Sequence, residues 1–126
     1  MNISRTILHY DDGSSDKVYI VDVNRLPSGE KPYVVMTTWG RRTAPRLSNQ
    51  IKDCFNTERE ANRERDKLVH KKRTGRDAYQ LALSKLTIPG LASLGTAADV
   101  LIESSTVQKS ESRVIDDSNL RRSIKL

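Results

Sequence analysis

The sequence predicts a small α+β domain, in which one helix packs on an antiparallel sheet of about four strands. Two observations predict this fold: apolar residues alternate in short segments before residue 56, and afterwards they recur with the period of a helix. The chain has 126 residues and a low hydrophobic fraction of 36%, which suits one domain with an unpacked tail. We expect a folded domain over residues 1–79, a short helical and apolar extension over residues 80–103, and a weakly structured, disordered tail over residues 104–126.

The first two strands are predicted on either side of a turn. Residues 3–9 have the composition of a short strand, and the Asp-Gly pair and serines that follow them favour a turn. Residues 17–24 are rich in β-branched side chains that alternate between two faces, which predicts the second strand. One face carries Tyr19, Val21 and Val23, and the other carries Val18 and Ile20.

Two further strands are predicted before the helix. Residues 33–39 follow a short polar loop that contains proline and glycine, so an antiparallel hairpin with the second strand is expected. One face of this third strand carries Tyr33, Val35, Thr37 and Trp39. Residues 47–55 form the fourth predicted strand. The period of two places five of its residues on one face: Leu47, Asn49, Ile51, Asp53 and Phe55.

A basic helix is predicted to follow the strands. Thr57 and Glu60 have the spacing of a capping box, in which the threonine hydroxyl accepts the Glu60 N–H and the glutamate accepts the Thr57 N–H. Acidic residues near the start and basic residues near the end suit the helix dipole, and Gly75 is placed to end the helix. The apolar stripe of this helix consists of Ala61, Leu68 and Val69.

The signals in the extension are weaker. Residues 79–86 have apolar side chains at helical spacing, which is compatible with a short helix that packs back on the domain. Residues 97–103 are compatible with a second short helix. From residue 104 onwards the chain is polar and rich in serine, which is typical of disorder.

The positive charge of the chain is concentrated in one region. The formal net charge is +6, with 22 lysines and arginines against 16 acidic residues. Residues 41–76 hold 12 basic and 5 acidic residues, whereas residues 1–40 hold 4 and 5, and residues 77–126 hold 6 and 6. Such a region is typical either of a solvated helix face or of a surface that neutralises the phosphates of a nucleic acid.

Several functional classes are not indicated by the sequence. No run of about 18 apolar residues is present, and the start of the chain lacks the apolar core of a signal peptide. Cys54 is the only cysteine, so neither a disulfide framework nor a zinc site with several thiolates is expected. His9 and His70 lie on different predicted elements without a cluster of acidic or thiol groups, so we expect no metal, no cofactor and no enzymatic activity. The expected location is the cytoplasm, on the nucleoid if the source is bacterial.

The only tryptophan stands in the segment TTWGRRTAPR, residues 37–46, directly before a glycine and two arginines. A tryptophan of the core would normally lie in an apolar run, away from arginines. With the predicted strands and basic helix around this segment, residues 8–79 resemble the WGR domain. That family is a compact antiparallel sheet with one helix, found in DNA-break-dependent poly(ADP-ribose) polymerases and in many bacterial proteins. The matching residues are, in order, Lys17, Tyr19, 33–35, 39–41, Ile51, Phe55, Glu60, Ala61, Lys71 or Lys72, Gly75 and Tyr79.

The resemblance implies a role for the tryptophan. In family members bound to DNA ends, the tryptophan of the motif stacks on the terminal sugar or base, and the arginine lies beside the backbone. Carried over, these residues are Trp39 and Arg41, with Gly40 allowing the close approach. Stacking of a base on an aromatic face contributes about 1–3 kcal/mol, and arginine suits phosphate oxygens. The alternative is that Trp39 caps the core of the sheet and the arginines are solvated.

Two hypotheses for the function follow from these observations. The first is a non-catalytic module that binds DNA, at ends or breaks, through the phosphate backbone and a terminal nucleotide. The predicted binding residues are Trp39, Gly40, Arg41, Arg42, Arg46, Lys67, Lys71, Lys72 and Arg73. The second is a protein-interaction adaptor that docks a partner through the WGR surface or the apolar segment 81–103. Salt distinguishes them, because phosphate contacts weaken as ionic strength rises and an apolar interface persists.

Overall fold

The structure, a computed structural model, describes residues 1–82 and 86–93, and in these residues five strands and one helix form the fold. The elements are β1 (Asn2–Asp11), β2 (Asp16–Arg25), β3 (Tyr33–Arg41), β4 (Ser48–Phe55), α1 (Glu58–Arg73), β5 (Gln80–Leu81) and a 3₁₀ turn (Pro89–Ser93). Neighbouring strands are antiparallel, in the order β4-β3-β2-β1-β5. The predicted fold class, a small antiparallel sheet with one helix packed on it, is confirmed.

A carboxylate organises the turn between β1 and β2. Asp12 accepts hydrogen bonds from the N–H groups of Ser14 and Ser15, at 3.0 and 2.7 Å. These bonds, led by the one from Ser15, stabilise the ionised form and lower the pKa of Asp12 to about 2. The predicted turn chemistry is therefore confirmed, and it fixes the register in which β1 and β2 pair.

The sheet has two different faces. The face that carries α1, here called the helix face, buries a cluster of Leu8, Tyr19, Val21, Val23, Val35, Ala61 and Tyr79. On the opposite face, here called the second face, Val18, Ile20 and Ile88 form a smaller cluster with Ile7, Leu47, Leu86 and Leu91 around it. The alternation predicted for β2 and for Tyr33 and Val35 of β3 is thus confirmed.

A β-bulge at Lys52 changes the faces of β4. Val35 of β3 pairs with Asp53, whereas the next residue, Met36, pairs with Ile51, so Lys52 is the extra residue. The predicted placement of five β4 residues on one face is therefore wrong, because one inserted residue shifts the alternation by one. The helix face receives Ser48, Gln50, Asp53 and Phe55, and the second face receives Asn49 and Ile51, with Leu47 packed beside them.

The helix begins and ends as predicted. The Thr57 hydroxyl accepts the Glu60 N–H at 3.2 Å, and a Glu60 carboxylate oxygen accepts the Thr57 N–H at 3.2 Å, which completes the capping box. At the other end, the N–H of Thr74 donates to the carbonyl of His70, and Gly75 follows directly. The basic last turn of α1, at the edge of the helix face, is therefore held at a fixed position.

Residues 79–82, the described first half of the short helix predicted over residues 79–86, are not helical. Gln80 and Leu81 instead pair with β1 as a fifth strand, and the Ala82 N–H donates to the carbonyl of Ile7 at 2.9 Å. The edge of β1 gives the backbone groups of residues 80–82 hydrogen-bond partners, and this tertiary pairing overrides the local pattern. The helix predicted over residues 97–103 and the tail predicted over residues 104–126 lie outside the described residues.

Candidate nucleic-acid interface

Trp39 lies near the end of β3 on the helix face. It pairs directly with Tyr19 of β2 and Ser48 of β4, and 37% of its surface is exposed. Gly40 follows with a φ of 149°, a backbone conformation that favours glycine. A Cβ at Gly40 would lie 3.0 Å from Cδ2 of Leu47, so glycine lets the loop after β3 close against the end of the strand.

A groove lies beside Trp39, between the end of the sheet and the second half of α1. This Trp39 groove has a volume of about 280 Å³. Its aromatic and apolar lining consists of Tyr19, Trp39, Leu68 and Tyr79. Its polar lining consists of Thr37, Gln50, Lys52, Lys71 and Lys72, and none of the described lining residues is acidic. The groove therefore combines aromatic surface with positive charge.

The ammonium groups of the groove come from two elements. Lys71 and Lys72 belong to the last turn of α1, and Lys52 is the bulged residue of β4. Nζ of Lys72 lies 4.7 Å from the centroid of the Tyr19 ring, within the range of a cation–π interaction. Because an opposite charge is absent from the described lining, the favourable partner for these lysines is an anion that enters from solvent.

The phenols of the groove are neutral at physiological pH. Burial raises the pKa of Tyr19, and the nearby Thr37 hydroxyl offsets part of that rise, although the two groups do not reach the geometry of a hydrogen bond. Burial also raises the pKa of Tyr79. Neither phenol therefore ionises near neutral pH, so neither weakens the positive charge of the lysines.

Thr37 is the unusual polar residue of the groove. It is fully buried, and its hydroxyl has no hydrogen-bond partner among the described residues. A buried hydroxyl without a partner destabilises a fold by about 1–3 kcal/mol. Thr37 pairs with Val21 of β2 and with Gln50 of β4. It therefore lies on the helix face, two residues before Trp39 in the same strand.

The two arginines of the motif lie in different environments. Arg41 is exposed and pairs with Lys17 at the end of β3, on the same face as Trp39. Arg42 donates from Nε to a carboxylate oxygen of Asp16 at 2.9 Å and from Nη1 to the carbonyl of Thr87 at 2.9 Å. Arg42 therefore fastens the segment of residues 86–93 to the second face, and its guanidinium is engaged away from the groove.

The remaining predicted binding residues do not line the groove. Arg46 is exposed in the loop before β4, and Arg73 is exposed at the end of α1. Lys67 lies in a separate depression with Phe55, and its Nζ is 3.8 Å from a carboxylate oxygen of Glu64. Of the nine predicted residues, the structure brings together Trp39, Lys71 and Lys72 in the groove, and Gly40 and Arg41 follow Trp39 at the end of β3 without lining it.

Sequence reasoning missed several residues of the groove. Gln50 and Lys52 reach it through the bulge in β4, for which the sequence carries no signal. Tyr19 could have been found, because a hairpin that joins the second and third strands brings it near the Trp39 end of the sheet. Lys17 also lies on this face: its Nζ is 2.7 Å from Asp77 Oδ2 and 5.1 Å from the centroid of the Tyr10 ring.

A second polar cluster lies on the second face. The expectation that His9 has no acidic cluster beside it is wrong. A ring nitrogen of His9 and carboxylate oxygens of Asp11 and Asp16, all atoms of the kind that bind metals, lie within 4.8 Å of one another. Nε2 of His9 is 2.6 Å from Asp16 Oδ1, and this bond is the main reason why the pKa of Asp16 is lowered. The other Asp16 oxygen accepts from Arg42, whose positive charge opposes a cation here. We therefore assign the cluster to holding Arg42 in place.

Part of the apolar segment proposed for a protein partner is packed within the domain. Ile88 is 7% exposed in the cluster of the second face, and Leu86 and Leu91 pack against that cluster. Gly90 is buried so closely that a Cβ there would lie 2.7 Å from Cγ of Leu47. These side chains are engaged with the protein's own sheet, so they do not favour the adaptor hypothesis.

Comparisons of the chain with protein-family models, with curated proteins and with solved structures returned no match. The resemblance to the WGR domain therefore remains a prediction that rests on the residues quoted above.

Proposed function

We propose that the protein is a non-catalytic nucleic-acid-binding module that binds DNA, at ends or breaks, through Trp39 and the cations around it. The observation that carries this proposal is the Trp39 groove, where a partly exposed indole lies beside three lysines and no acidic residue is found in the described lining. An aromatic face next to cations binds a base and its phosphate together. The resemblance to the WGR domain supports the same function.

The proposal sets the size of the expected effects. If Trp39 stacks on a base or sugar with about 1–3 kcal/mol, its removal lowers affinity by about 5- to 150-fold. If Arg41 and the three groove lysines each neutralise one phosphate, the logarithm of affinity falls with that of salt with a slope of about −3.6. Affinity would then fall by about 150-fold between 50 and 200 mM salt.

The direct test is binding of the purified protein to a blunt, 5′-phosphorylated duplex and to a closed circle of the same sequence. Fluorescence anisotropy of a labelled duplex, with the circle as competitor, would be measured at two salt concentrations. Trp39→Ala is compared with Leu81→Ala, because the two native side chains are similarly exposed, at 37% and 39%, and lie on strands that two other strands separate, β3 and β5. We expect salt-sensitive binding that favours ends, is weakened in Trp39→Ala and is unchanged in Leu81→Ala. Absence of binding at low salt, or wild-type affinity in Trp39→Ala, would refute the proposal.

The proposed location follows from the proposed ligand. No helix of the described residues is long and apolar enough to cross a membrane. With DNA as the ligand, we propose the cytoplasm as the location, with association to the nucleoid if the source is bacterial. Localisation of a tagged full-length chain tests this, and a distribution that excludes DNA would contradict it.

A further inference from the structure

We propose that the Trp39 groove admits one unpaired nucleotide, so that the protein prefers a DNA end with an unpaired strand to a fully paired end. This inference rests on the DNA-binding function proposed above. It adds the chemical class of the group that enters the groove: a nucleotide whose base is free of its pairing partner.

The shape of the groove favours a ligand of this size. Its volume of about 280 Å³ is close to the lower limit of small-ligand pockets, about 300 Å³. Its walls are Leu68 of the helix on one side and Tyr19 and Thr37 of the sheet on the other, so it is a recess and not only the outer face of Trp39. In a duplex, the edge of a base is covered by its pairing partner and its faces by stacked neighbours. The base must therefore be unpaired before it can rotate out of the duplex and enter the groove.

The chemistry of the groove matches the two ends of a nucleotide. Trp39 offers a partly exposed aromatic ring to a base, and its direct cross-strand partner Tyr19 lies buried beside it with the Lys72 ammonium over its ring. Lys71, Lys72 and Lys52 supply cations from the helix and from the bulge of β4, which suits a phosphate attached to that base. An apolar ligand would leave these three charges without an anionic partner, so a nucleotide fits better than a lipid or an apolar peptide.

Thr37 supplies an independent reason for a polar ligand. Its buried hydroxyl has no partner among the described residues, and Thr37 is one of the residues that line the groove. The edge of an unpaired base carries hydrogen-bond donors and acceptors that are free to pair with this hydroxyl. In a paired duplex those same groups are engaged with the opposite strand.

The first test compares two labelled duplexes of equal length, one blunt and one with a short single-stranded overhang. We expect the overhang to bind at least about fivefold more tightly, because no base pair has to be opened. Trp39 is the only tryptophan, so its fluorescence reports on the groove directly. A nucleoside 5′-monophosphate is expected to change this fluorescence in a saturable way, and inorganic phosphate at the same concentration is not.

The second test uses two threonines that differ in the face on which they lie. Thr37 and Thr38 are both fully buried, and neither hydroxyl has a partner among the described residues. Thr38 pairs with Ile20 and Asn49 on the second face, so Thr38→Val is a matched control for Thr37→Val. We expect Thr37→Val to weaken nucleotide binding by about three- to tenfold and Thr38→Val to leave it unchanged. Thermal unfolding of both variants shows that each is folded.

The outcomes separate this inference from the proposed function. Equal affinity for blunt and overhanging ends, with no saturable response to the nucleotide, would overturn the inference and leave DNA binding in place. A response to the nucleotide without any binding of DNA would sustain the groove assignment and overturn the proposed function. If Thr37→Val and Thr38→Val weaken nucleotide binding equally, the two hydroxyls affect binding only through the stability of the fold. That result would refute the role given to Thr37.

Discussion

Replacement of Gly40 by alanine is expected to destabilise the domain and to weaken DNA binding together. The backbone at Gly40 has a φ of 149°, and holding an alanine there costs about 1–3 kcal/mol. The added Cβ would also lie 3.0 Å from Cδ2 of Leu47, and displacing that methyl group adds about 1 kcal/mol. For a domain of this size each kcal/mol corresponds to about 4–8 °C in melting temperature.

A matched control separates the two contributions at Gly40. Gly29, in the loop between β2 and β3, has a φ of 115°, and a Cβ there would have no atom within 4 Å. Gly29→Ala is therefore expected to show the backbone strain alone and to leave DNA binding unchanged. The free energy of unfolding is measured by urea denaturation, and DNA affinity at a temperature where both variants are folded. If Gly40→Ala is no less stable than Gly29→Ala, or binds DNA as the wild type does, the reasoning about the loop after β3 is wrong.

Three further predictions test the assignment of charges. Lys71→Ala is expected to make the slope of log affinity for DNA against log salt concentration shallower by about 1. Lys31→Ala removes the same charge at the far end of the sheet and should leave the slope unchanged. Salt titrations of both variants measure the two slopes. Arg42→Ala should lower the melting temperature and leave the salt slope unchanged, because its guanidinium holds Asp16 and Thr87; a shallower slope without a change in melting would contradict this. The folded-state pKa of Asp12 is about 2 against an ordinary value of 3.8, so its stabilising effect is complete above about pH 4 and is lost as the pH falls towards 2. Asp12→Asn should therefore show a smaller loss of stability between pH 5 and pH 2.5, measured by urea denaturation, and an equal loss would count against this role.

The parts of the fold that depend on local signals could be predicted from the sequence. The period of β2 places Tyr19 and Val21 on one face and Ile20 on the other, because successive side chains of a strand point to opposite faces. The capping box of Thr57 and Glu60 defines the start of α1 through two reciprocal hydrogen bonds within four residues. These features need no information about distant parts of the chain.

The parts of the site that depend on pairing between strands could not be predicted. Lys52 reaches the groove because it is the residue of β4 that does not pair with β3. The alternation of residues in the sequence does not predict where such a bulge occurs. The role of Arg42 depends on Asp16, which is 26 residues away in the sequence, and on Thr87, which is 45 residues away. A run of two arginines after a tryptophan suggests one common function, and only the three-dimensional structure separates them.

The separation of Arg41 from Arg42 follows the period of the strand itself. Thr37, Trp39 and Arg41 lie on the helix face, where Thr37 and Trp39 line the groove, whereas Thr38 and Gly40 lie on the second face. Arg42 continues the second series and binds the segment of residues 86–93 there. One short segment therefore carries two interleaved sets of residues: one available to a ligand, and one that fixes the end of the strand against the rest of the domain. This arrangement explains how the strand end that carries a partly exposed tryptophan is held in place, because the residues that hold it, Gly40 and Arg42, follow Trp39 closely in sequence and lie on the opposite face.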